Sequence, residues 1–260
     1  EHDKFHVLKY LSKEVEFKDV TDEVACLGVF GPKSRSLMSK LSNDDFSNEN
    51  FKFGTSREIK INNKKIWAQR LSYVGDLGFE LYIKMDESRE IYNLIVDKGK
   101  EFNLSHCGMF AMDTMRMEKG YLHWGHDMSP EENQYEAGLK FAISFKKNID
   151  FVGKKAIEKI KNQKIKKRMV MLTLKNSKPG LPLLLHDEPI YCEGKIVGRT
   201  TSGNYSFKYE KNMSFGYINL TSPIEELAKK NFFIEVEKKQ HEAILQTRAL
   251  HDPENKIIKS

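Results

Sequence analysis

The sequence has only three cysteines, Cys26, Cys107 and Cys192, far apart and without a CxxC spacing. An odd, scattered set excludes a disulfide framework and points to a reducing compartment with inert thiols. No run approaches the roughly 18 apolar residues that span a bilayer, and no signal-peptide pattern opens the chain. The expectation is a protein without a membrane partner, cytoplasmic or, in a eukaryote, of the mitochondrial matrix. Neither sign of charge is in large excess. A formal net charge of +6 over 260 residues suits an anionic small molecule as well as nucleic acid. With 39% apolar and 31% charged residues, the composition is that of a soluble globular protein. The length allows one large or two to three small domains. An initiator Met is also missing, and "EHDKFHVLKYLSKE" reads as a helix end or loop already under way. The expectation is a piece of a longer polypeptide.

What is present reads as a mixed chain. "EVEFKDVT" (14–21) and "EVACLGVFG" (23–31) carry the β-branched and apolar residues of strands. "GPKSRSLMSKLS" follows as a helix, with Pro32 at its first position and Leu37, Met38 and Leu41 at helical spacing. "SREIKINNKKIWAQRLSYVG" reads as a hairpin turning at Asn62-Asn63, and "GFELYIKM" as the next strand. "SREIYNLIVDKGKEFN" is an amphipathic helix with a Ser N-cap. Over residues 14 to 103 this mixture predicts a split βαβ, or ferredoxin-like, layer. A helix running to Lys119 stops at Gly120, and loops lead to a strand near Leu139 to Phe145. After a short basic helix the texture changes, from Arg168, to short strands with turns, one of them at Cys192 to Lys195. That predicts a small C-terminal β-barrel. The fold class is α+β. The expected division is a ferredoxin-like domain over residues 1–110, a helix- and strand-bearing segment over 111–164 that returns toward a first domain lying outside this chain, and a barrel over 165–260.

Few patterns carry chemistry by themselves. Gly75 and Gly78 in "RLSYVGDLGFELYI" (70–83) most simply serve a tight turn, since no helix follows them and no third Gly or Lys-Ser/Thr completes a nucleotide fingerprint. Alternation from Gly78 sets Glu80, Tyr82 and Lys84 on one strand face. His123 and His126 lack a third ligand at a familiar offset, so no metal is expected. Cys107 beside His106 makes no nucleophile pair. The lysines from Lys154 to Arg168 fall around a helix without aromatic interleaving, which reads as a solvated face rather than a nucleic-acid site. The residues alone thus give a two-part α+β protein and no reaction.

Five blocks, in order, resemble the aminomethyltransferase (glycine-cleavage T-protein) family: "LGVFGPKSRSLMSKLS", "RLSYVGDLGFELYI", "AMDTMRMEKGYLHWGHDMS", "NQYEAGLKFAISFKKNIDFVGKKAI" and "GRTTSGNYSFKYEKNMSFGYI". Together they cover nearly the whole chain. Trp124 in "HWGHDM" and the wording "TTSGNYS" (200–206) are most similar to the C-terminal folate-binding half of dimethylglycine and sarcosine dehydrogenases. The resemblance implies tetrahydrofolate as the bound cofactor, with Tyr73 and Glu80 contacting its pterin and Arg116 and Trp124 lining the same cavity. A pairing of Arg116 with Asp113 or Glu118 is the competing reading for that residue. The resemblance also implies an N-methyl amine substrate and a flavin (FAD) domain upstream in the same polypeptide. The folate-side catalytic Asp of the family falls in a region this chain does not match, so the catalytic residue is unknown. Neither Asp22 nor Asp127 replaces it by any motif. The implied activity is one-carbon transfer from an amine-derived iminium to tetrahydrofolate, giving 5,10-methylenetetrahydrofolate. A stand-alone aminomethyltransferase or related folate-dependent demethylase, and a non-catalytic folate-binding module, are the other readings.

Overall fold

The computed structural model describes residues 2–147 and 149–260. The chain divides into two compact units. The first comprises residues up to Ser72, Asp76–His106 and Asn255–Ser260; the second comprises Tyr73–Gly75 and Cys107–Glu254.

In the first unit, α1 (His2–Tyr10) buries none of its residues. The strand expected over 14–21 does not form. Val15 and Val20 stay exposed, because their apolar alternation meets no neighbouring strand. The layer proper begins with β1 (Val24–Phe30) and α2 (Ser34–Leu41), then β2 (Ser56–Ile61), β3 (Lys64–Gln69), β4 (Gly78–Lys84) and α3 (Met85–Gly99). Pro32 lies just ahead of α2 rather than at its first position. Ser88, expected as the N-cap of α3, sits inside that helix and bonds the Met85 carbonyl at 2.7 Å. The sheet order is β1-β4-β3-β2. Helices cover one face of the sheet, as in a ferredoxin-like layer, while every strand pair is antiparallel. Asn62 and Asn63, at φ 49° and 62°, make the β2–β3 turn, as their side chains favour. Phe79, Leu81 and Ile83 of β4 join Ile59, Ile61, Ile66 and Ala68 in a core under α2 and α3. Strand alternation therefore sends Glu80 and Tyr82, with Trp67 and Gln69 of β3, to the opposite, open face.

The second unit contains α4 (Met109–Lys119), which ends at Gly120 (φ 82°) as expected, and α5 (Lys154–Ile160). Residues 139 to 145, expected as a strand, instead pass through a single 3-10 turn, Lys140–Ala142, with Phe141 exposed. Next come β5 (Lys167–Leu174), β6 (Pro189–Cys192), β7 (Lys195–Ser206) and β8 (Lys211–Asn219), then α6 (Ile224–Leu227), β9 (Phe232–Val236) and β10 (Lys239–Gln246). These six strands close a barrel in the order β10-β5-β8-β7-β6-β9. The β6–β7 turn falls on Glu193-Gly194, both at positive φ, inside the predicted Cys192–Lys195 hairpin. Val170, Leu172, Ile190, Phe232, Ile234 and Leu245 fill the barrel.

The two glycines of the 70–83 stretch serve different ends. Gly75 needs its φ of +82°, and a Cβ there would lie 2.8 Å from three carbons of the Lys119 side chain, within the second unit. Gly78 opens β4 in the first unit, under the ring of Phe30. Gly75→Ala is expected to cost about 1–3 kcal/mol from backbone strain and overpacking. Urea denaturation monitored by circular dichroism checks it.

Candidate functional site

The open face of the first unit's sheet carries side chains in rows fixed by the register. Gly28, Glu80, Gln69 and Ser56 make one row across β1, β4, β3 and β2. Cys26, Tyr82, Trp67 and Glu58 make the next. Glu80 is half-buried, and the Tyr82 hydroxyl donates to its Oε2 at 2.9 Å. Among the described residues no lysine, arginine or histidine pairs with this carboxylate. Burial, the bond to Glu80 and the charge of Glu80 all raise the Tyr82 phenol far above its ordinary pKa, so it remains a donor. Partial burial and the same carboxylate raise the Cys26 thiol, with the Tyr82 hydroxyl opposing the shift. The Phe30 ring rests against Gly28, where a Cβ would meet it at 2.5 Å, and against Gly78. It provides an apolar floor next to Glu80 that the sequence did not single out. Trp67, 49% exposed, and Tyr82 wall a cavity of about 630 Å3 with Lys84 and Glu58.

The second unit holds a buried polar network. The i, i+3 spacing on α4 sets Asp113 against Arg116, whose Nε donates to Asp113 Oδ1 at 2.8 Å. Its Nη1 donates to the Tyr121 carbonyl at 3.1 Å and to Asp127 Oδ2, and its Nη2 to Ser202 Oγ at 3.0 Å. Arg116 and Asp127 are 2% and 0% exposed. Asp127 also accepts the Thr201 hydroxyl at 2.6 Å, the Ser202 hydroxyl at 2.7 Å and the His123 amide at 2.9 Å. A register shift between Thr200 and Ser202 in the β7–β8 pairing turns both hydroxyls toward the same carboxylate. Arg116 thus takes Asp113 as partner, while Glu118 accepts from Ser206 instead, at 2.6 Å.

Tyr73 lies in this unit too. Its hydroxyl donates to the Leu122 carbonyl at 2.9 Å, and its ring stacks on Tyr121 with centroids 6.0 Å apart. Burial raises its phenol pKa, Arg116 opposes that shift, and Asp127 and Asp113 reinforce it. Trp124, 50% exposed, stands on the loop that Asp127 anchors, where Gly125 (φ 86°) bonds the Met128 carbonyl at 2.8 Å. Sequence reasoning weighed Asp127 only as a substitute for a missing acid. Its position seven residues past Gly120 gives no sign that it is the counter-ion of Arg116.

Two other stretches weighed from the sequence are placed as follows. The rings of His123 and His126 lie 4.7 Å apart, and no group of three potential metal ligands converges among the described residues. Helix α5 buries only Ile157, with Lys159 and Lys161 exposed. If the chain binds folate as the resemblance implies, Lys159→Glu with Lys161→Glu is expected to leave that affinity unchanged by calorimetry, as charge reversal on a solvated helix face should.

Known proteins define the class. The GCVT N-terminal domain matches residues 1–147, and the glycine cleavage T-protein C-terminal barrel domain matches residues 167–252. The chain belongs to the glycine cleavage T-protein family. Within it, the chain is 37% identical over 222 residues to human dimethylglycine dehydrogenase, covering 83% of this chain and 25% of that protein. It is 30% identical over 267 residues to mouse sarcosine dehydrogenase, covering all of this chain and 28% of that one. The chain therefore spans about a quarter of the length of these relatives. In fold it is similar to the glycine cleavage aminomethyltransferase T of Bartonella henselae, with a TM-score of 0.75 at 18% identity over 88% of this chain and 60% of the other. No helix among the described residues is long and apolar enough to cross a membrane.

Proposed function

We propose that this chain is the tetrahydrofolate-binding part of a dimethylglycine or sarcosine dehydrogenase-like enzyme. The observation that carries the reading is Glu80: a half-buried carboxylate on an open sheet face, with one oxygen held by Tyr82 and no cationic partner among the described residues. A buried or half-buried acid left without a cation calls for a ligand rich in N–H donors. A reduced pterin presents neighbouring N–H groups on one edge, which an ionised carboxylate accepts side by side. When bound, tetrahydrofolate supplies the acceptor for the one-carbon unit of an oxidised N-methyl amine, leaving as 5,10-methylenetetrahydrofolate. The contribution of this chain is to grip and orient. Glu80 fixes the pterin edge, and the Phe30 ring offers the flat heterocycle an apolar surface. Positioning replaces a dilute bimolecular encounter and keeps the one-carbon unit from escaping as formaldehyde.

Tyr73, Arg116 and Trp124 enter the proposal as folate contacts on the family resemblance. Arg116 faces an oxygen at each of its three nitrogens, which supports a part in holding the Tyr121–Asp127 loop that carries Trp124. The flavin that would oxidise the amine belongs, on this reading, to another part of the polypeptide. A stand-alone aminomethyltransferase is the second reading, supported by 30% identity over 205 residues to the aminomethyltransferase of Symbiobacterium thermophilum.

The test follows the methyl carbon. Full-length protein given isotopically labelled dimethylglycine or sarcosine with tetrahydrofolate is expected to pass most label to the folate. With Glu80→Gln, amine oxidation should persist while label shifts to free formaldehyde. An unshifted partition would remove Glu80 from the folate site.

A further inference from the structure

We propose that Gln69 is a specificity-determining residue that reads the carbonyl end of the same heterocycle edge that Glu80 grips; this rests on the folate reading above. The register places Gln69 directly opposite Glu80 on the open face of β3 and β4. Residues opposite one another in an antiparallel pair have Cβ atoms about 4.5–5.5 Å apart, so their polar ends meet one ligand edge. Gln69 is half-buried, between Ala68 and Arg70, which are buried on the other side. Its carboxamide has no hydrogen-bond partner among the described residues. That is unusual for a half-buried amide, which can donate twice and accept twice.

The two side chains together make an ordered code. Tyr82 donates to Glu80 Oε2, and among the described residues Oε1 has no side-chain partner. Glu80 then offers acceptors, and the neighbouring Gln69 amide offers a donor. The complement of acceptor, acceptor, donor is an edge reading donor, donor, acceptor. A 2-amino-4-oxo pyrimidine ring has that edge: its amino group and ring N–H face the carboxylate, and its carbonyl oxygen faces the amide. A neutral 2,4-diamino ring has a donor where the carbonyl was and a bare nitrogen where the ring N–H was, so it meets the Gln69 N–H head-on and also offers Glu80 one donor fewer. Tyr82 is a positioning residue in this scheme, and Gln69 selects the ring class.

The experiment compares tetrahydrofolate with its 4-amino analogue, tetrahydroaminopterin, by calorimetry on the full-length protein. Wild type is expected to prefer the 4-oxo ligand. Gln69→Glu replaces the donor by an acceptor, so the preference should shrink by about tenfold or more, the scale on which an unmatched buried polar group discriminates. Gln69→Leu should weaken the 4-oxo ligand and narrow the gap between the two affinities, leaving the part of the preference that Glu80 reads at the ring N–H. Thermal denaturation of each variant reports any structural loss, which would weaken both ligands alike and leave their ratio fixed. An unchanged ratio in both variants, with Glu80→Gln still weakening both ligands, overturns the role of Gln69 and leaves the folate reading standing. Should Glu80→Gln also change nothing, the folate reading itself fails.

Discussion

Replacing Asp127 by alanine is expected to destabilise the second unit by about 3–5 kcal/mol, the scale for stranding one half of a buried ion pair. The cause is what the carboxylate holds. It is fully buried, bonds the Arg116 guanidinium, and receives the Thr201 and Ser202 hydroxyls and the His123 amide. Removing it leaves the buried Arg116 with the partly exposed Asp113 as its remaining carboxylate, and three donors short of an acceptor. Asp127→Asn keeps one carbonyl acceptor and should lose less. Equilibrium urea denaturation of wild type and both variants measures the order. Equal small losses, below about 1 kcal/mol, would mean that water reaches the network and the pair is not buried as described.

Lys119→Met should have an effect of similar size, about 3–5 kcal/mol, because it removes one half of a buried ion pair. The Lys119 ammonium donates to the Asp252 carbonyl at 2.6 Å and to its Oδ2 at 3.0 Å, with both side chains almost wholly buried. Methionine keeps the stem that packs on Gly75, so the loss isolates the charge. Lys119→Met combined with Asp252→Asn is expected to cost clearly less than the sum of the two single changes, as coupled sites do. Additivity would show that the contact contributes nothing as a pair.

The elements that sequence reasoning placed well are those whose signal is local. Asn62-Asn63 and Glu193-Gly194 announce their turns through residues that tolerate positive φ, and Gly120 announces a helix end. Apolar alternation in β4 separated Phe79, Leu81 and Ile83 from Glu80 and Tyr82, and the buried core follows that division. The strand expected at 14–21 failed because alternation is necessary but not sufficient: a strand needs a neighbour, and the sequence does not say which stretches will pair. Residues 139–145 failed in the same way. The candidate site shows the same limit. Alternation put Glu80 on one face of its strand, but its neighbours across the sheet were not legible. Gln69 becomes its partner through the β3–β4 register, and Phe30 its floor through two distant glycines. Arg116 could be read as paired with Asp113 at i, i+3, whereas Asp127, eleven residues on, reaches it only through a loop and a β-bulge.

The most direct test of the central claim is a calorimetric titration of full-length protein with tetrahydrofolate, wild type against Glu80→Gln. An amide cannot accept two N–H donors on ionised oxygens, so binding is expected to weaken by about 1.5–3 kcal/mol, the worth of a hydrogen bond to a charged group. The fold should be intact, because among the described residues the Glu80 side chain bonds the Tyr82 hydroxyl, and a glutamine oxygen can replace that acceptor. An affinity equal to that of wild type would contradict the account, and the acid on the open sheet face would then have no part in gripping the vitamin.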